Sequence, residues 1–229
     1  MGDVLRVGLI GRNGRMGRAA ASWIGDAQEM ELVAAIGRGE DWSVLSDAQV
    51  ALELTVAGNG AVHARRLLEA GVRPVVGTSG MTLEEVAELD SLARELGLGG
   101  VMVPNFSALL ALLQRVSVEA REWLPQVSIV EAHKRAKADA PSGTAAEWAR
   151  RVGLSPGDVA SVRMAGVTAL HEIRLVGGAE SVLLRHESHG LEGFRAGLLE
   201  SLRYAQGAEG FGMGLELVMG GACKLGGSV

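Results

Sequence analysis

The chain of 229 residues is 48% hydrophobic and 21% charged, with a formal net charge of -5. This composition predicts one large or two small folded domains with an ample core, and it argues against intrinsic disorder. The negative charge gives no support to a nucleic-acid-binding protein, and no apolar run approaches the ~18 residues of a membrane span. A single cysteine, Cys223, excludes an intrachain disulfide, and the first residues lack a signal-peptide pattern, so we expect a cytoplasmic protein.

The first hundred residues alternate between short apolar runs and segments with helical spacing. The apolar runs predict strands at Leu5–Ile10, Leu32–Ile36, Val50–Thr55, Pro74–Val76 and Gly100–Val103. The helical spacing predicts helices at Arg15–Ile24, Ala61–Ala70 and Thr82–Leu96. This alternation indicates βαβ units and a mostly parallel sheet that is covered on both faces, which is an α/β fold.

The pattern changes after Pro104. We expect helices at Ser107–Leu124, Thr144–Val152 and Gly193–Gln206, and strands at Val127–Val130, Ser161–Met164, Glu172–Val176 and Ser181–Leu184. A polar stretch, Glu131–Gly143, is expected to follow the first of these strands, and the tail Gly207–Val229 is glycine-rich and weakly patterned. Strands without regular intervening helices favour an α+β domain with an antiparallel or mixed sheet.

A glycine-rich turn joins the first predicted strand to the first predicted helix. It reads Gly11-Arg12-Asn13-Gly14-Arg15-Met16-Gly17. Glycines here permit a tight turn whose N–H groups approach a phosphate, and the helix N-terminus adds partial positive charge. Asn13 replaces the middle glycine of G-x-G-x-x-G, and we expect it to serve because asparagine tolerates left-handed backbone conformations. The turn predicts a dinucleotide site, and the alternative is an ordinary strand–helix turn.

The residue after the second strand bears on the choice of cofactor. An acidic residue commonly grips the adenosine ribose there, but this chain has Gly37 followed by Arg38. An arginine can meet a 2′-phosphate, so we expect NADPH, or both NADPH and NADH, to be used. Glu40 or Asp41 is left open as a partner for a ribose hydroxyl.

The stretch from Glu131 to Thr144 carries the densest chemistry. Three of the 22 basic residues are lysines, and two of them, Lys134 and Lys137, follow His133 within four residues. Imidazole and amine groups can protonate or stabilise a developing negative charge. Ser142-Gly143-Thr144 precedes a predicted helix, so it can cradle a carboxylate or phosphate, the alternative being a surface loop with a plain helix cap. The spacing of His, Cys and acidic residues predicts no metal site.

Four motifs, in this order, resemble the 4-hydroxy-tetrahydrodipicolinate reductase (dihydrodipicolinate reductase) family. They are the glycine turn at 11–17, Gly77-Thr78-Ser79-Gly80, Pro104-Asn105-Phe106-Ser107, and K-x-D-A-P-S-G-T at 137–144. The resemblance spans most of the chain, and its last motif is highly specific. It implies NAD(P)H-dependent reduction of a cyclic hydroxylated imine dicarboxylate, with loss of water, in lysine and diaminopimelate synthesis.

The resemblance also implies an organisation. Residues 1–104 and 192–229 would form a Rossmann-type nucleotide-binding domain, and residues 105–191 a central α+β domain with a mixed sheet. That central domain would bind the substrate and assemble a homotetramer. No nucleic acid, membrane or metal partner is implied.

The resemblance assigns roles to individual residues. His133 matches the proposed acid, Lys137 the lysine that assists proton delivery, and Lys134 supplies charge for a carboxylate. The substrate-carboxylate cradle matches Ser142, Gly143 and Thr144. The nicotinamide loops match Gly77, Thr78, Ser79, Pro104, Asn105 and Phe106. The pyrophosphate turn matches Gly11, Arg15, Met16 and Gly17, with Arg38 at the adenosine phosphate.

Two departures from the family pattern keep alternatives open, because Lys134 and Ala136 stand where the family has histidines. The alternatives are a catalytically silent NAD(P)-binding regulatory homologue and another Rossmann-type oxidoreductase. Outside the motifs, we expect His186 to contact substrate or to make a structural hydrogen bond. His63 and His189 are expected on the surface.

Overall fold

The computed structural model describes residues 4–220, and the chain divides into two compact units. Unit 1 contains the residues up to Phe106 and those from Phe194 onward, and unit 2 is Ser107–Gly193. The sequence analysis placed the two domain boundaries after residues 104 and 191. In the structure they fall two residues later, after Phe106 and Gly193.

Unit 1 is built on a six-stranded sheet in which every neighbouring pair is parallel. Its strands are β1 (Leu5–Ile10), β2 (Met30–Ile36), β3 (Val50–Glu53), β4 (Arg73–Val76), β5 (Gly99–Met102) and β10 (Gly210–Met213). Their order is β2-β1-β3-β4-β5-β10. The chain therefore leaves β1 toward one edge of the sheet and returns to β3 on the other side, as in doubly wound folds. The predicted Rossmann-type fold is confirmed.

Unit 1 also contains five α-helices among the described residues. They are α1 (Arg15–Asp26), α2 (Gly60–Glu69), α3 (Leu83–Glu95), α6 (Arg195–Gly207) and α7 (Leu215–Val218). Thr82 caps α3, and its hydroxyl and the Glu85 carboxylate form the reciprocal bonds of a capping box. Val7, Leu9 and Val75 have no exposed surface, as expected for strands covered on both faces.

The glycine-rich tail contains structure that its sequence pattern did not indicate. Over residues 210–218, β10 pairs with β5 and α7 follows it. β10 has only four residues, two of them glycine, so its conformation depends on pairing with β5 rather than on local preference. Residues 221–229 of the tail, including Cys223 and Lys224, lie outside the described residues.

Unit 2 packs two helices, α4 (Ala108–Arg121) and α5 (Gly143–Arg151), against a four-stranded sheet. The strands are β6 (Gln126–His133), β7 (Ala160–Arg163), β8 (Ala169–Gly177) and β9 (Glu180–Ser188), in the order β7-β6-β8-β9. β6 and β7 are parallel and the other pairs are antiparallel, so the predicted mixed sheet is confirmed. Trp148, Ile129 and Ile173 form its buried centre.

One boundary in unit 2 changes the view of the site. β6 extends through His133, so Glu131 and His133 belong to a strand rather than to the polar loop that the sequence suggested. Among residues 4–220, no helix combines the length and apolarity required to cross a bilayer.

Candidate active site

The glycine-rich turn of unit 1 is shaped by two of its glycines. Gly11 has a φ of 96°, and a Cβ there would lie 2.5 Å from the carbonyl oxygen of Leu54. A Cβ on Gly17, in the first turn of α1, would lie 2.1 Å from the carbonyl oxygen of Gly11. Larger residues at these positions would displace backbone, so this turn packs as closely as a dinucleotide-binding turn requires.

The expected reason for Asn13 in this turn is wrong. Every described residue with a positive φ is a glycine, so the backbone of Asn13 is not left-handed. Its side chain lies beside the end of β2, where a Cβ on Gly37 would come within 2.6 Å of the Asn13 amide nitrogen. Asn13 therefore fills space between the turn and the second strand.

The arginines of this region fall into two groups. Arg12 donates to the carbonyl oxygen of Ala35 at 2.8 Å and to Glu40 at 2.5 Å, so it braces the turn. Glu40 also accepts from the Gly37 N–H, and Asp41 accepts from Ser43. Glu40 and Asp41, the two carboxylates considered as partners for a ribose hydroxyl, are therefore both engaged in local hydrogen bonds. Within residues 4–220, Arg15 and Arg38 are exposed and no hydrogen bond or ion pair holds them.

A pocket of about 330 Å³ lies in unit 1 at the carboxyl ends of its central strands. It is lined by Met16, Leu54, Thr55, Ala57, Gly77, Thr78, Ser79, Pro104, Asn105, Phe106 and Phe194. A Cβ on Gly77 would lie 2.5 Å from the Leu54 side chain and 2.9 Å from Phe106, so glycine keeps this wall open. The sheet thus brings together Met16 and the two loops that the resemblance assigned to the nicotinamide. This edge is where open α/β sheets bind nucleotides.

Glu53, which the sequence analysis missed, supports this pocket. It ends β3, its side chain is fully buried, and it accepts a hydrogen bond of 2.7 Å from the Thr78 hydroxyl. It also accepts from the N–H and hydroxyl of Thr55 and contacts the His63 ring at 3.1 Å. Glu53 thereby orients two hydroxyls that line the pocket, and His63 is half-buried rather than on the surface as expected. The available signal was an acidic residue ending an otherwise apolar strand.

Three histidines and a carboxylate gather inside unit 2. The rings of His133 and His171 meet edge to face, with centroids 5.3 Å apart, and the His186 ring lies 6.4 Å beyond His171. Glu131 is fully buried beside His133, and its Oε2 contacts the His133 Nδ1. His186 contacts the Ser107 hydroxyl at 3.1 Å, and His189 is exposed as expected. Strands β6, β8 and β9 place these side chains on the helix-covered face of the sheet.

Burial and charge determine the protonation of this cluster. Burial holds the pKa of His133 below its ordinary value, Lys137 and Arg163 lower it further, and Glu131 opposes them. Burial, together with His133 and His186, lowers the pKa of His171 to about 4. Burial alone would raise the pKa of Glu131, but hydrogen bonds from Arg163 and Ser161 bring it below its usual value. Glu131 is therefore an anion, and His171 is neutral near pH 7.

Lys137 lies on the turn that follows β6. Its amine donates to both carboxylate oxygens of Asp139 at 2.9 Å, which lowers the pKa of Asp139. Lys134, three residues earlier, is exposed. The backbone N–H of Lys137 donates to the carbonyl oxygen of Lys134, so a tight turn sets the lysine spacing.

The Ser142-Gly143-Thr144 segment forms the start of α5. Ser142 is buried, and its hydroxyl accepts from the Ala145 N–H and lies 3.4 Å from the His171 Nε2. Gly143 is exposed, and nothing lies within 4 Å of where its Cβ would be. The structure thus places the proposed carboxylate cradle in contact with the histidine cluster, while Ser142 also serves as a helix cap.

The side chains of Glu131, His133 and His171 also offer three ligand atoms within 4.8 Å of one another. Spacing along the chain did not reveal this group, because the third member comes from β8. A cation there would sit beside Arg163, whose guanidinium donates to Glu131 at 2.9 Å and already balances its charge. The arrangement is better suited to holding protons than a metal ion.

The parallel sheet, the glycine-rich turn and the switch-point pocket define a Rossmann-type oxidoreductase that uses a nicotinamide nucleotide. Residues 5–106 match the family model "Dihydrodipicolinate reductase, N-terminus", and residues 107–219 match "Dihydrodipicolinate reductase, C-terminus". The chain belongs to the dihydrodipicolinate reductase family, which confirms the predicted family and enzyme class.

Individual relatives agree with this assignment. The 4-hydroxy-tetrahydrodipicolinate reductase of Lactococcus lactis is 33% identical, over 93% of this chain and 96% of the relative. The enzyme of that name from Halalkalibacterium halodurans is 30% identical, over 94% of this chain and 100% of the relative. The structure of a dipicolinate-bound dihydrodipicolinate reductase from Paenisporosarcina sp. TG-14 superposes with a TM-score of 0.83 at 26% identity, covering 93% of this chain and 99% of that one.

Proposed function

We propose that the chain reduces 4-hydroxy-tetrahydrodipicolinate to tetrahydrodipicolinate, with loss of water, in lysine and diaminopimelate biosynthesis. The observation that carries this proposal is the contact between Ser142, at the start of α5, and the buried histidine cluster of unit 2. A carboxylate-binding helix start beside groups that can donate protons suits a cyclic dicarboxylate that must be protonated as it is reduced.

Unit 2 supplies the positive charge for a doubly anionic substrate. The first turn of α5 offers the partial positive charge of a helix N-terminus, and Ser142 and Thr144 lie at its start. Lys134 is exposed and can pair with a second carboxylate. Lys137 is held by Asp139 in this structure, and a substrate carboxylate can compete for the same amine.

His133 and Lys137 are the proton-handling groups in this proposal. The overall reaction consumes one hydride and one proton and releases one water. Because the pKa of His133 is low in the free protein, the ring needs an added anion to hold a proton near neutral pH. A dicarboxylate in the cradle provides that anion, so substrate binding itself would load the acid.

The residues of unit 1 fit a nicotinamide nucleotide. Gly11 and Gly17 leave space that a Cβ would fill, and Gly77 keeps the pocket wall open. We propose that the turn at 11–17 holds the pyrophosphate and that Gly77, Thr78, Ser79, Pro104, Asn105 and Phe106 surround the nicotinamide ring. When bound, the reduced nicotinamide supplies the hydride. Glu53 orients the hydroxyls of Thr55 and Thr78 along this wall.

We propose NADPH as the preferred cofactor, with NADH also accepted. The support is Arg38, which is exposed and unbound among the described residues, together with Glu40 and Asp41, which are committed to local hydrogen bonds. A carboxylate free to grip the adenosine ribose is the usual mark of NADH preference, and here both candidates are engaged.

The assembly and location are also proposals. The unit 2 sheet exposes apolar side chains, including Val162 and Leu183, which a homotetramer would cover. A cytoplasmic location suits a chain whose single cysteine permits no intrachain disulfide.

The test is an initial-rate assay of NADPH and NADH oxidation with freshly generated 4-hydroxy-tetrahydrodipicolinate. We expect saturable turnover with both cofactors and a higher kcat/KM with NADPH. Tight binding of NADPH without turnover would favour the regulatory alternative, and turnover with other imines but not with this substrate would favour another oxidoreductase.

A further inference from the structure

The proposed mechanism gives no role to a charged pair in unit 2 whose carboxylate is buried and whose guanidinium is half-buried. Glu131 lies on β6 with none of its side chain exposed, and Arg163 is the last residue of β7. In the parallel pairing of these strands, Glu131 is opposite Ser161 and His133 is opposite Arg163. The guanidinium therefore reaches back along the sheet to the carboxylate, and Nη1 donates to Glu131 Oε1 at 2.9 Å.

The same guanidinium also holds the loop that carries Lys137. Nε of Arg163 donates to the carbonyl oxygen of Lys137 at 3.2 Å, and Nη2 donates to that of Asp139 at 2.5 Å. One planar guanidinium thus joins the buried carboxylate of Glu131 to the backbone of both residues of the Lys137–Asp139 ion pair. A lysine at this position could not form that set of bonds, because its amine lacks the fixed fork geometry.

The other oxygen of Glu131 faces the second catalytic candidate. Glu131 Oε2 contacts Nδ1 of His133, and this contact raises the pKa of His133 against the lowering effect of burial. A carboxylate at Nδ1 favours a proton on that nitrogen and leaves Nε2 to exchange a proton with a ligand. Glu131 therefore acts on the ring that would donate the proton, and Arg163 acts on the amine beside it.

Stability alone does not account for this pair. Removing two charges from water costs about as much as their attraction returns, and apolar side chains often replace buried ion pairs without loss. The sheet around the pair is already apolar, with Ile129 and Ile173 in its centre. Apolar residues at 131 and 163 could not contact the His133 ring nitrogen or bind the Lys137 carbonyl oxygen as this pair does.

We propose that Glu131 and Arg163 are positioning residues. Glu131 sets the tautomer and charge of His133, and Arg163 holds both Glu131 and the Lys137 loop in register. This inference rests on the proposed function, since it assigns His133 and Lys137 to proton transfer. Its effects on the histidine and on the loop can nevertheless be measured without substrate.

The first measurement is the protonation of His133 by nitrogen NMR of histidine-labelled protein, with His133→Gln used to assign the signal. The groups that face this ring are Glu131, Lys137, Arg163 and His171. We expect Glu131→Gln to lower the His133 midpoint by about one pH unit and to reduce the Nδ1–H tautomer. We expect Arg163→Lys to preserve the tautomer, because it keeps a cation beside Glu131.

The second measurement is backbone hydrogen exchange over residues 134–141. We expect about tenfold faster exchange in Arg163→Lys, because the bonds to the carbonyl groups of Lys137 and Asp139 are lost. The control is Glu147→Gln on α5, which removes a carboxylate that pairs with Arg150 and Arg151 in unit 2, away from the histidine cluster. That control should leave the histidine midpoint, the loop exchange and the turnover unchanged.

Kinetics complete the test. We expect Glu131→Gln to lower kcat about tenfold to a hundredfold with little change in the KM for substrate. Arg163→Lys should raise that KM as well as lower kcat. Should Glu131→Gln fail to fold, Glu131→Asp keeps the charge but withdraws it by one methylene, and it should shift the His133 midpoint in the same direction.

The outcomes separate the two proposals. An unchanged His133 midpoint in the Glu131 variant, or unchanged loop exchange in the Arg163 variant, overturns this inference whether or not the protein turns over. Absence of turnover in the unmodified protein, with both physical effects present, overturns the proposed function and leaves the positioning pair in place.

Discussion

The two units differ in how they present a binding site. In unit 1 the pocket is lined by backbone, hydroxyls and apolar side chains, and its nearest acid, Glu53, is engaged by Thr55 and Thr78. In unit 2 the site is crowded with titratable groups held by a buried carboxylate and an arginine. A site built from shape should be sensitive to added volume, whereas a site built from charge should be sensitive to removed charge. That difference can be tested residue by residue.

The largest effect is expected from removing a charge in unit 2. Lys137→Ala should lower kcat by about a hundredfold to ten-thousandfold, which is the usual contribution of a positioned proton donor. The affinity for NADPH, measured by fluorescence titration, should stay within about twofold, because Lys137 belongs to the other unit. Lys134→Ala is the comparison: its exposed amine should affect the KM for substrate far more than kcat. Equal losses in both variants would contradict the separate roles.

Added volume in unit 1 should produce the largest effect on cofactor binding. Gly17→Ala places a Cβ 2.1 Å from the carbonyl oxygen of Gly11, so the turn must shift. We expect the Kd for NADPH to rise about thirtyfold, or roughly 2 kcal/mol, measured by calorimetry. Gly25→Ala, in the same helix with nothing within 4 Å of the added Cβ, should leave NADPH binding unchanged. Normal NADPH affinity in Gly17→Ala would show that the turn does not hold the pyrophosphate.

The histidine cluster should make stability depend on pH. His171 has a pKa of about 4 in the folded protein and about 6.5 in the unfolded chain, so the unfolded state binds the extra proton between these values. The free energy of unfolding should therefore fall as the pH is lowered from 6.5 to 4, by about 3 kcal/mol from this group.

Urea unfolding across that range provides the measurement. His171→Gln should flatten the dependence, whereas His189→Gln should not, because His189 is exposed. A slope that is identical in both variants would show that His171 does not remain neutral in the fold.

The smallest effect concerns the edge of unit 1. Arg38→Ala should raise the KM for NADPH about tenfold and that for NADH less than about twofold, because the lost contact is to the 2′-phosphate. Arg65→Ala, which removes an exposed arginine paired with Glu88 on α3, is the matched control. Parallel changes with both cofactors would remove Arg38 from cofactor selection.

The same contrast explains what could be predicted from the sequence. The order of strands and helices in unit 1 follows from local patterns, because apolar runs such as Leu5–Ile10 form its buried strands. The capping box of α3 is likewise formed by residues close in sequence, Thr82 and Glu85. β10 could not be found this way, because its glycines form a strand only beside β5.

Site residues show a similar limit. The motifs located the pocket loops and the Lys137 stretch, because those residues are contiguous. Glu53, Glu131 and Arg163 were missed, because their roles come from burial and from partners more than twenty residues away. Asn13 was found for the wrong reason, since its backbone is ordinary and its side chain packs against the second strand.

The proposed function requires that a hydride pass from the reduced nicotinamide to the ring of the dicarboxylate substrate. The most direct measurement is mass spectrometry of the product formed from 4-hydroxy-tetrahydrodipicolinate with NADPH fully deuterated at nicotinamide C4. We expect tetrahydrodipicolinate carrying one deuterium on a ring carbon, formed about a hundredfold to ten-thousandfold more slowly by Lys137→Ala under the same conditions. Product without deuterium, or oxidised cofactor without reduced product, would contradict the account.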